Sequence, residues 1–282
     1  MHAYSLNLCG TLLPLDRPRL MAVVNCTPDS FYAGGRNGSV DQAIRAWDAG
    51  ADLVDVGGQS TRPGAEPVGA AEEWRRLQPI LEGLLAARPE ARVSVDTYRA
   101  EVARRAVEAG AVLVNDVSGG ALDPELWPAV ADAGVPYVLT HLQGTPETMQ
   151  DRPTYTDVVA DVHLALGTRL HQAREAGLGD ILIDVGFGFG KTLEQNYALL
   201  AALDSFHILG APLLVGFSRK SMVYKALGTG PEEALNGTTA LHAWALDRGA
   251  HFLRVHDVEA AREVLALFSH FHPAPLPGPW PA

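Results

Sequence analysis

The sequence predicts an α/β fold, a single (β/α)8 barrel of the TIM type with a short N-terminal hairpin. Eight short apolar, β-rich runs recur along the 282 residues, at 20–24, 53–56, 92–95, 112–114, 136–139, 181–183, 212–215 and 252–255. They lie about 33 residues apart, the length of one β/α repeat. They are continuously apolar rather than alternating, as parallel strands covered on both faces must be.

Each run ends in a small or polar residue, and a loop and a helical stretch follow. The stretches at 71–86, 100–109, 157–176 and 232–248 are rich in Ala, Leu, Glu and Arg. Gly50, Gly110, Gly177 and Gly249 stand where helix C-caps belong. An open doubly wound sheet is the alternative arrangement of eight such units, but it gives less reason for so even a repeat. The expected organisation is a hairpin plugging the barrel bottom at residues 1–18, the barrel at 19–270, and a Pro-rich irregular tail at 271–282.

Composition narrows the class. Apolar residues make up 47% and charged residues 20%, enough to bury a core without staples. Two cysteines, Cys9 and Cys26, give no disulfide framework and point to a reducing, cytoplasmic compartment. The first twenty residues carry Asp16 and Arg17 and lack the apolar stretch of a signal peptide. No apolar run is long enough to span a membrane. A net charge of −11 argues against a nucleic-acid or anionic-membrane partner, but it leaves small anions open, because these need only a local Arg and Lys cluster.

In such a barrel the chemistry sits at the C-terminal ends of the strands. The residues there are Asn25-Cys26-Thr27-Pro28-Asp29-Ser30-Phe31, then Gly57 to Gly64 with Thr61 and Arg62, and then Asp96-Thr97 and Asn115-Asp116. His141-Leu142-Gln143-Gly144 comes next, followed by Asp184 to Lys191, Gly216-Phe217-Ser218-Arg219-Lys220-Ser221 and Arg254-Val255-His256-Asp257. Arg and Lys with backbone N–H groups suit a phosphate or diphosphate. A carboxylate and an amide suit a flat heterocycle with adjacent donors and acceptors. Neither zinc-type spacing nor a nucleophile elbow is present.

Each group has a plainer reading. Asp96 serves equally as a cap for the next helix, Asn115-Asp116 as a turn, and 186–190 as a flexible loop. Arg219 and Lys220 read as a solvated pair, and His141 and His256 as structural. What favours a site is that polar groups follow nearly every strand at the same end.

Taken together, the motifs resemble those of the dihydropteroate synthase family from about residue 20 to 264. The matching pieces are Asn25–Phe31 (NxTPDSF), 55–64 (DxGGxSTRPG), 94–97, Asn115-Asp116, 141–144, 184–191 (DPGFGFGK), 218–220 (SRK) and 254–257 (RVHD). The resemblance implies the same barrel. It also implies condensation of 6-hydroxymethyl-7,8-dihydropterin diphosphate with para-aminobenzoate, giving 7,8-dihydropteroate and pyrophosphate in folate biosynthesis. By position, Asp96, Asn115, Asp184, Lys220 and Phe189 would hold the pterin. Asn25, Thr61, Arg254 and His256 would hold the diphosphate, with Mg2+ at Asn25. Phe31, Thr61, Arg62, Ser218 and Lys220 would frame the aminobenzoate. Asp96, Lys220, Arg254 and His256 would carry the catalysis. A homodimer and competition by sulfonamides are further implications. The neighbouring readings are a methyltetrahydrofolate-dependent methyltransferase and a non-catalytic pterin-binding paralogue.

The sequence departs from the family pattern at Cys26 (usually Val), Leu142 (Met), Val185 (Pro) and Ala33 (a carboxylate). Val185 is expected to loosen its turn, and Ala33 to alter the first loop.

Overall fold

A computed structural model describes residues 4–26, 35–59, 67–144 and 154–272. The chain opens with an antiparallel hairpin, β1 (Ser5–Leu8) and β2 (Thr11–Pro14). Eight parallel strands follow: β3 (Arg19–Asn25), β4 (Leu53–Gly57), β5 (Val93–Asp96), β6 (Leu113–Asp116), β7 (Tyr137–Thr140), β8 (Ile181–Asp184), β9 (Leu213–Val215) and β10 (Phe252–Val255). They pair in chain order and β10 closes on β3, so the sheet is a closed barrel and not an open one. All eight apolar runs are strands. Five of the strands continue past the apolar run into a polar residue, namely Asn25, Asp96, Asp116, Thr140 and Asp184.

The helices outside the barrel are α1 (Gly35–Asp48), α2 (Ala70–Ala87), α3 (Ala100–Glu108), α4 (Leu126–Ala133), α5 (Val158–Glu175), α6 (Leu193–Ala201), α7 (Ser221–Leu227), α8 (Leu235–Asp247) and α9 (Val258–Phe271). The helix expected at 232–248 comes in two pieces, a 3-10 turn at Pro231–Glu233 and then α8. The carbonyls of Pro231 and Glu232 each accept from Arg219 Nη1 at 3.1 Å, so they are diverted from a continuous helix.

Strand side chains alternate between the two faces. The outward row, including Val54, Val56, Val93, Val95, Ile181 and Ile183, is buried beneath the helices. The inward row divides by depth. Toward the N-terminal ends lie Met21, Leu53, Leu113, Val138, Leu182, Leu214 and Phe252, which pack with Leu6, Leu8, Leu13 and Leu15 of the N-terminal segment. That segment therefore plugs the barrel bottom. Burying four leucines is worth roughly 6 kcal/mol or more, comparable to a domain's whole net stability, so the plug is part of the core. It is also tied by polar contacts. Arg19, itself buried, bridges to Asp52 and to Asp16 at 3.1 Å each.

Two residues further along the strands, the inward row turns polar, with Asp55 on β4, Asn115 on β6, Thr140 on β7, Asp184 on β8 and Arg254 on β10. Asp96 on β5 belongs to the same mouth. The strand period thus carries one row of side chains from an apolar floor to a charged rim.

Candidate active site

One cleft at the C-terminal mouth is lined by Asp96, Asn115, Val117, Thr140, Asp184, Phe189, Gly216, Lys220 and Arg254. These residues come from six consecutive strands or the loops that follow them. Parity aims the strand residues inward, and burial then decides their chemistry.

Arg254 organises the floor of the cleft. Its Nε donates to Asp55 Oδ2 at 2.7 Å, and its Nη2 donates to Asp96 Oδ2 at 2.7 Å. Asp55 Oδ2 also accepts from Asn115 Nδ2 at 2.9 Å. Burial disfavours the Arg254 charge, but Asp55, Asp96 and Asp184 outweigh it and keep the guanidinium protonated. Burial pushes the Asp96 carboxyl up to about 7. Arg254 opposes this shift, while Asp55 and Glu73 reinforce it.

Asp184 faces Arg254 from β8. Burial raises its pKa against the pull of Lys220, the Gly186 N–H and Lys191. The Gly186 N–H donates to Asp184 Oδ1 at 2.8 Å. Val185 therefore leaves this turn closed, contrary to the expected loosening. The loop it opens is held by the buried Lys191, which contacts His141 and the carbonyls of Gly186 and Phe189. Gly186 has a φ of +73°, and a side chain there would run into the carbonyl oxygen of His141.

Lys220 closes the far wall. Its ammonium lies 4.2 Å from the centre of the Phe189 ring and donates to the Phe187 carbonyl at 2.7 Å. Burial draws its pKa down to about 8, with Asp184 holding it up. The neighbouring Arg219 turns the other way and grips Asp257 through two bonds of 2.7 and 2.8 Å. The pair read as solvated is thus divided, one cation entering the cleft and the other bracing the rim. Arg219 adopts a φ of +54°, the left-handed backbone that reverses its direction from that of Lys220.

The rim carries Ser218 and His256. Ser218 Oγ lies 3.2 Å from His256 Nδ1 and accepts from the His256 backbone N–H at 3.3 Å. Asn25 ends β3 beside Gly57 and is partly exposed at the mouth. Phe31, Thr61 and Arg62 lie outside the described residues, as does Ala33.

The plainer readings are sorted by geometry. Asp96 does not cap α3, whose N-cap is Arg99; it pairs with Arg254 instead. Asn115 and Asp116 part company. Asn115 lines the cleft, while Asp116 makes the turn, accepting from the N–H groups of Ser118 and Gly120 at 2.7 Å each. The 186–190 loop is pinned by Lys191. Two groups given no role from sequence belong to this assembly: Asp55, fully buried beneath Arg254, and Lys191. For Asp55 the available signal was a charge between Val54 and Val56 inside an otherwise apolar run.

Comparison with known proteins matches this arrangement. The pterin binding enzyme family model matches residues 21–256. The dihydropteroate synthase of Escherichia coli (strain K12) is 44% identical over 262 residues, covering 91% of this chain and 92% of its own length. The Xanthomonas albilineans dihydropteroate synthase with 4-aminobenzoic acid superposes with a TM-score of 0.90 at 43% identity, covering 97% of this chain and 100% of that one. The same enzyme in complex with 7,8-dihydropteroate gives a TM-score of 0.86 at 41% identity, covering 96% and 100%. With its barrel closed and its cleft built at the strand ends, this chain belongs to the dihydropteroate synthase family of pterin-binding enzymes.

Proposed function

We propose that the chain condenses 6-hydroxymethyl-7,8-dihydropterin diphosphate with para-aminobenzoate, releasing 7,8-dihydropteroate and pyrophosphate for folate biosynthesis. The observation that carries this reading is the convergence, in one cleft, of two readers of a heterocycle edge with two cations. Asp184 presents a carboxylate that can accept two parallel N–H bonds from an aminopyrimidine edge, and Asn115 presents an amide beside it. Lys220 and Phe189 form the wall against which the flat ring stacks.

Arg254 and His256, with Asn25 and Thr61, receive the diphosphate. Neutralising that charge makes it a good leaving group. As the C–O bond breaks, the pterin methylene becomes electron-poor, and the Asp96 carboxylate stabilises the developing cation. The arylamine, framed by Phe31, Thr61, Arg62, Ser218 and Lys220, needs chiefly to be held in line. No covalent enzyme intermediate is required. A methyl transfer from a folate would leave the convergence of Arg254 and Lys220 without a purpose.

Mg2+ fits the donor set as a guest of the substrate. Among the described residues no cluster of three or more His, Cys, Asp or Glu could cage a metal. Asn25 offers one neutral oxygen, and Mg2+ typically takes one or two protein ligands while keeping phosphate oxygens and waters. Bound there, the ion would add charge neutralisation at the diphosphate.

A homodimer through α8 and α9 is part of this reading. Trp244, Leu267 and Phe271 lie on one groove between these helices and are 58%, 74% and 77% exposed, a large apolar patch for a lone chain. Two unpaired cysteines fit a reducing compartment such as the cytoplasm. No helix among the described residues is long and apolar enough to cross a membrane. Sulfonamides, as aminobenzoate mimics, should compete with that substrate alone.

The test is pyrophosphate release from the pterin diphosphate, with para-aminobenzoate and Mg2+ each omitted in turn. Release that requires all three supports the synthase. Pterin binding without release would replace it with a non-catalytic binder.

A further inference from the structure

Asp55 is a strand carboxylate fully buried in the barrel and out of the cleft lining. Its register partner on β3 is Val23 and that on β5 is Ser94, so its neighbours at this depth are an apolar side chain and a hydroxyl. One of its oxygens, Oδ2, serves both Arg254 and Asn115. The other, Oδ1, is buried with no hydrogen-bond partner among the described residues, and Ser94 Oγ is in the same condition.

Stability does not account for such a group. Taking a carboxylate out of water costs several kcal/mol, and a well-packed apolar residue is often as stable or more so. A half-satisfied buried carboxylate is retained at a cost. What it supplies is geometry, because one oxygen fixes the guanidinium of β10 and the amide of β6 at once.

We propose that Asp55 is a positioning residue, which sets Arg254 and Asn115 relative to one another from beneath so that leaving group and heterocycle are held in one frame. The proposal rests on the synthase reading for what those two groups hold. Asp55 itself touches neither substrate. A displacement of about 1 Å in such a frame costs on the order of 100-fold in rate.

The experiment compares wild type with Asp55→Asn, which keeps the shape and removes the charge, with Asp55→Ser, and with Ser94→Ala as a control at the same depth. Thermal melts report folding. Fluorescence titration with 6-hydroxymethylpterin reports pterin affinity. Steady-state kinetics over pH 5.5–9 report the rest. In both Asp55 variants, kcat/KM for the pterin diphosphate should fall about 10- to 100-fold, while KM for para-aminobenzoate stays within about twofold. The acid limb of the pH profile should move to lower pH, since Asp96 loses a like-charged neighbour and keeps Arg254 to itself. Ser94→Ala should stay within about twofold of wild type throughout.

Kinetic constants within twofold, or a loss that only tracks the folded fraction with the acid limb unmoved, would overturn the proposal. So would the absence of a folding transition in both Asp55 variants, which would make the residue purely structural. A wild type that releases no pyrophosphate would instead sink the synthase reading. In that case a pterin affinity at least about tenfold weaker in Asp55→Asn still supports the positioning of Asn115, and an unchanged affinity removes it.

Discussion

Lys191 Nζ lies 3.0 Å from His141 Nδ1, and the same group reaches the carbonyls of Gly186 and Phe189 at 2.9 and 3.0 Å. Burial lowers the His141 pKa to about 3 and that of Lys191 to about 7. Below pH 7 a neutral imidazole therefore faces an ammonium with three donors and three acceptors. The result is a staple between the ends of β7 and β8, with Asp184 and Phe189 on the stapled loop. Lys191→Met removes all three donors and strands the acceptors, at about 1–3 kcal/mol for each group left unpaired. We expect the melting temperature to fall by about 5 °C or more and pterin affinity by about tenfold. Calorimetry and pterin titration measure the two, and an unchanged affinity would detach the staple from the site.

The cleft also predicts a narrow pH window. Asp96 titrates near 7 and is neutral below it, so its stabilisation of the pterin cation is lost in acid. Lys220 titrates near 8 and loses its charge above it. With both groups in one cluster, the apparent values belong to the assembly. The profile of kcat/KM for the pterin diphosphate should be bell-shaped, with limbs near pH 7 and 8. Lys220→Arg keeps the charge at all accessible pH and should abolish the alkaline limb. An alkaline limb that survives the substitution would assign it to another group.

How much of this could be read from residues alone follows from the same periodicity. The apolar runs mark strands because barrel strands are covered on both faces, and all eight are present. A hydrophobic pattern stops where the inward row turns polar, so strand ends such as Asp96 and Asp184 fell outside the runs although they are strand residues. Much of the polar rim was readable because Asn25, Asp96, Asn115, Thr140 and Asp184 directly follow their runs. Asp55 was not, because it lies between two valines inside a run and outside the cleft lining. Lys191 was not, because its partner His141 is 50 positions away. Only the pairing of β7 with β8 brings the two together. The split of Arg219 from Lys220 depends on a backbone reversal that no residue preference announces in an arginine.

Two glycines with similar backbones should respond differently to a methyl group. Gly134 ends α4 with a φ of +64°, and a Cβ there meets nothing within 4 Å. Gly186 has a φ of +73°, but its Cβ would meet the His141 carbonyl and the Lys191 ammonium. Gly134→Ala should cost about 1–2 kcal/mol, the penalty of the left-handed conformation alone. Gly186→Ala adds a backbone clash at the staple and should cost at least about 2 kcal/mol more while weakening pterin binding. Urea unfolding separates the two, and equal costs would mean the loop yields freely.

His242 supplies a test of acid stability away from the chemistry. It sits on α8, almost fully buried, with its ring 5.2 Å from that of Phe217 and neither nitrogen hydrogen-bonded among the described residues. Burial lowers its pKa to about 4, with Asp257 opposing. The sign follows from linkage. The unfolded chain takes up the proton near pH 6.5 and the folded chain only near 4, so stability is complete above 6.5 and is lost as pH falls between those values. The raised carboxyls of Asp96, Asp116, Asp184 and Glu73 act in the opposite direction, so the wild-type curve alone mixes the two effects. His242→Leu isolates the histidine, because those carboxyls remain in both proteins and cancel in the difference. Between pH 7 and pH 5, the stability of the variant relative to wild type should rise by about 2 kcal/mol, at about 1.4 kcal/mol per pH unit below 6.5. Urea unfolding at the two pH values measures it, and a difference independent of pH would show that folding leaves the His242 pKa unshifted.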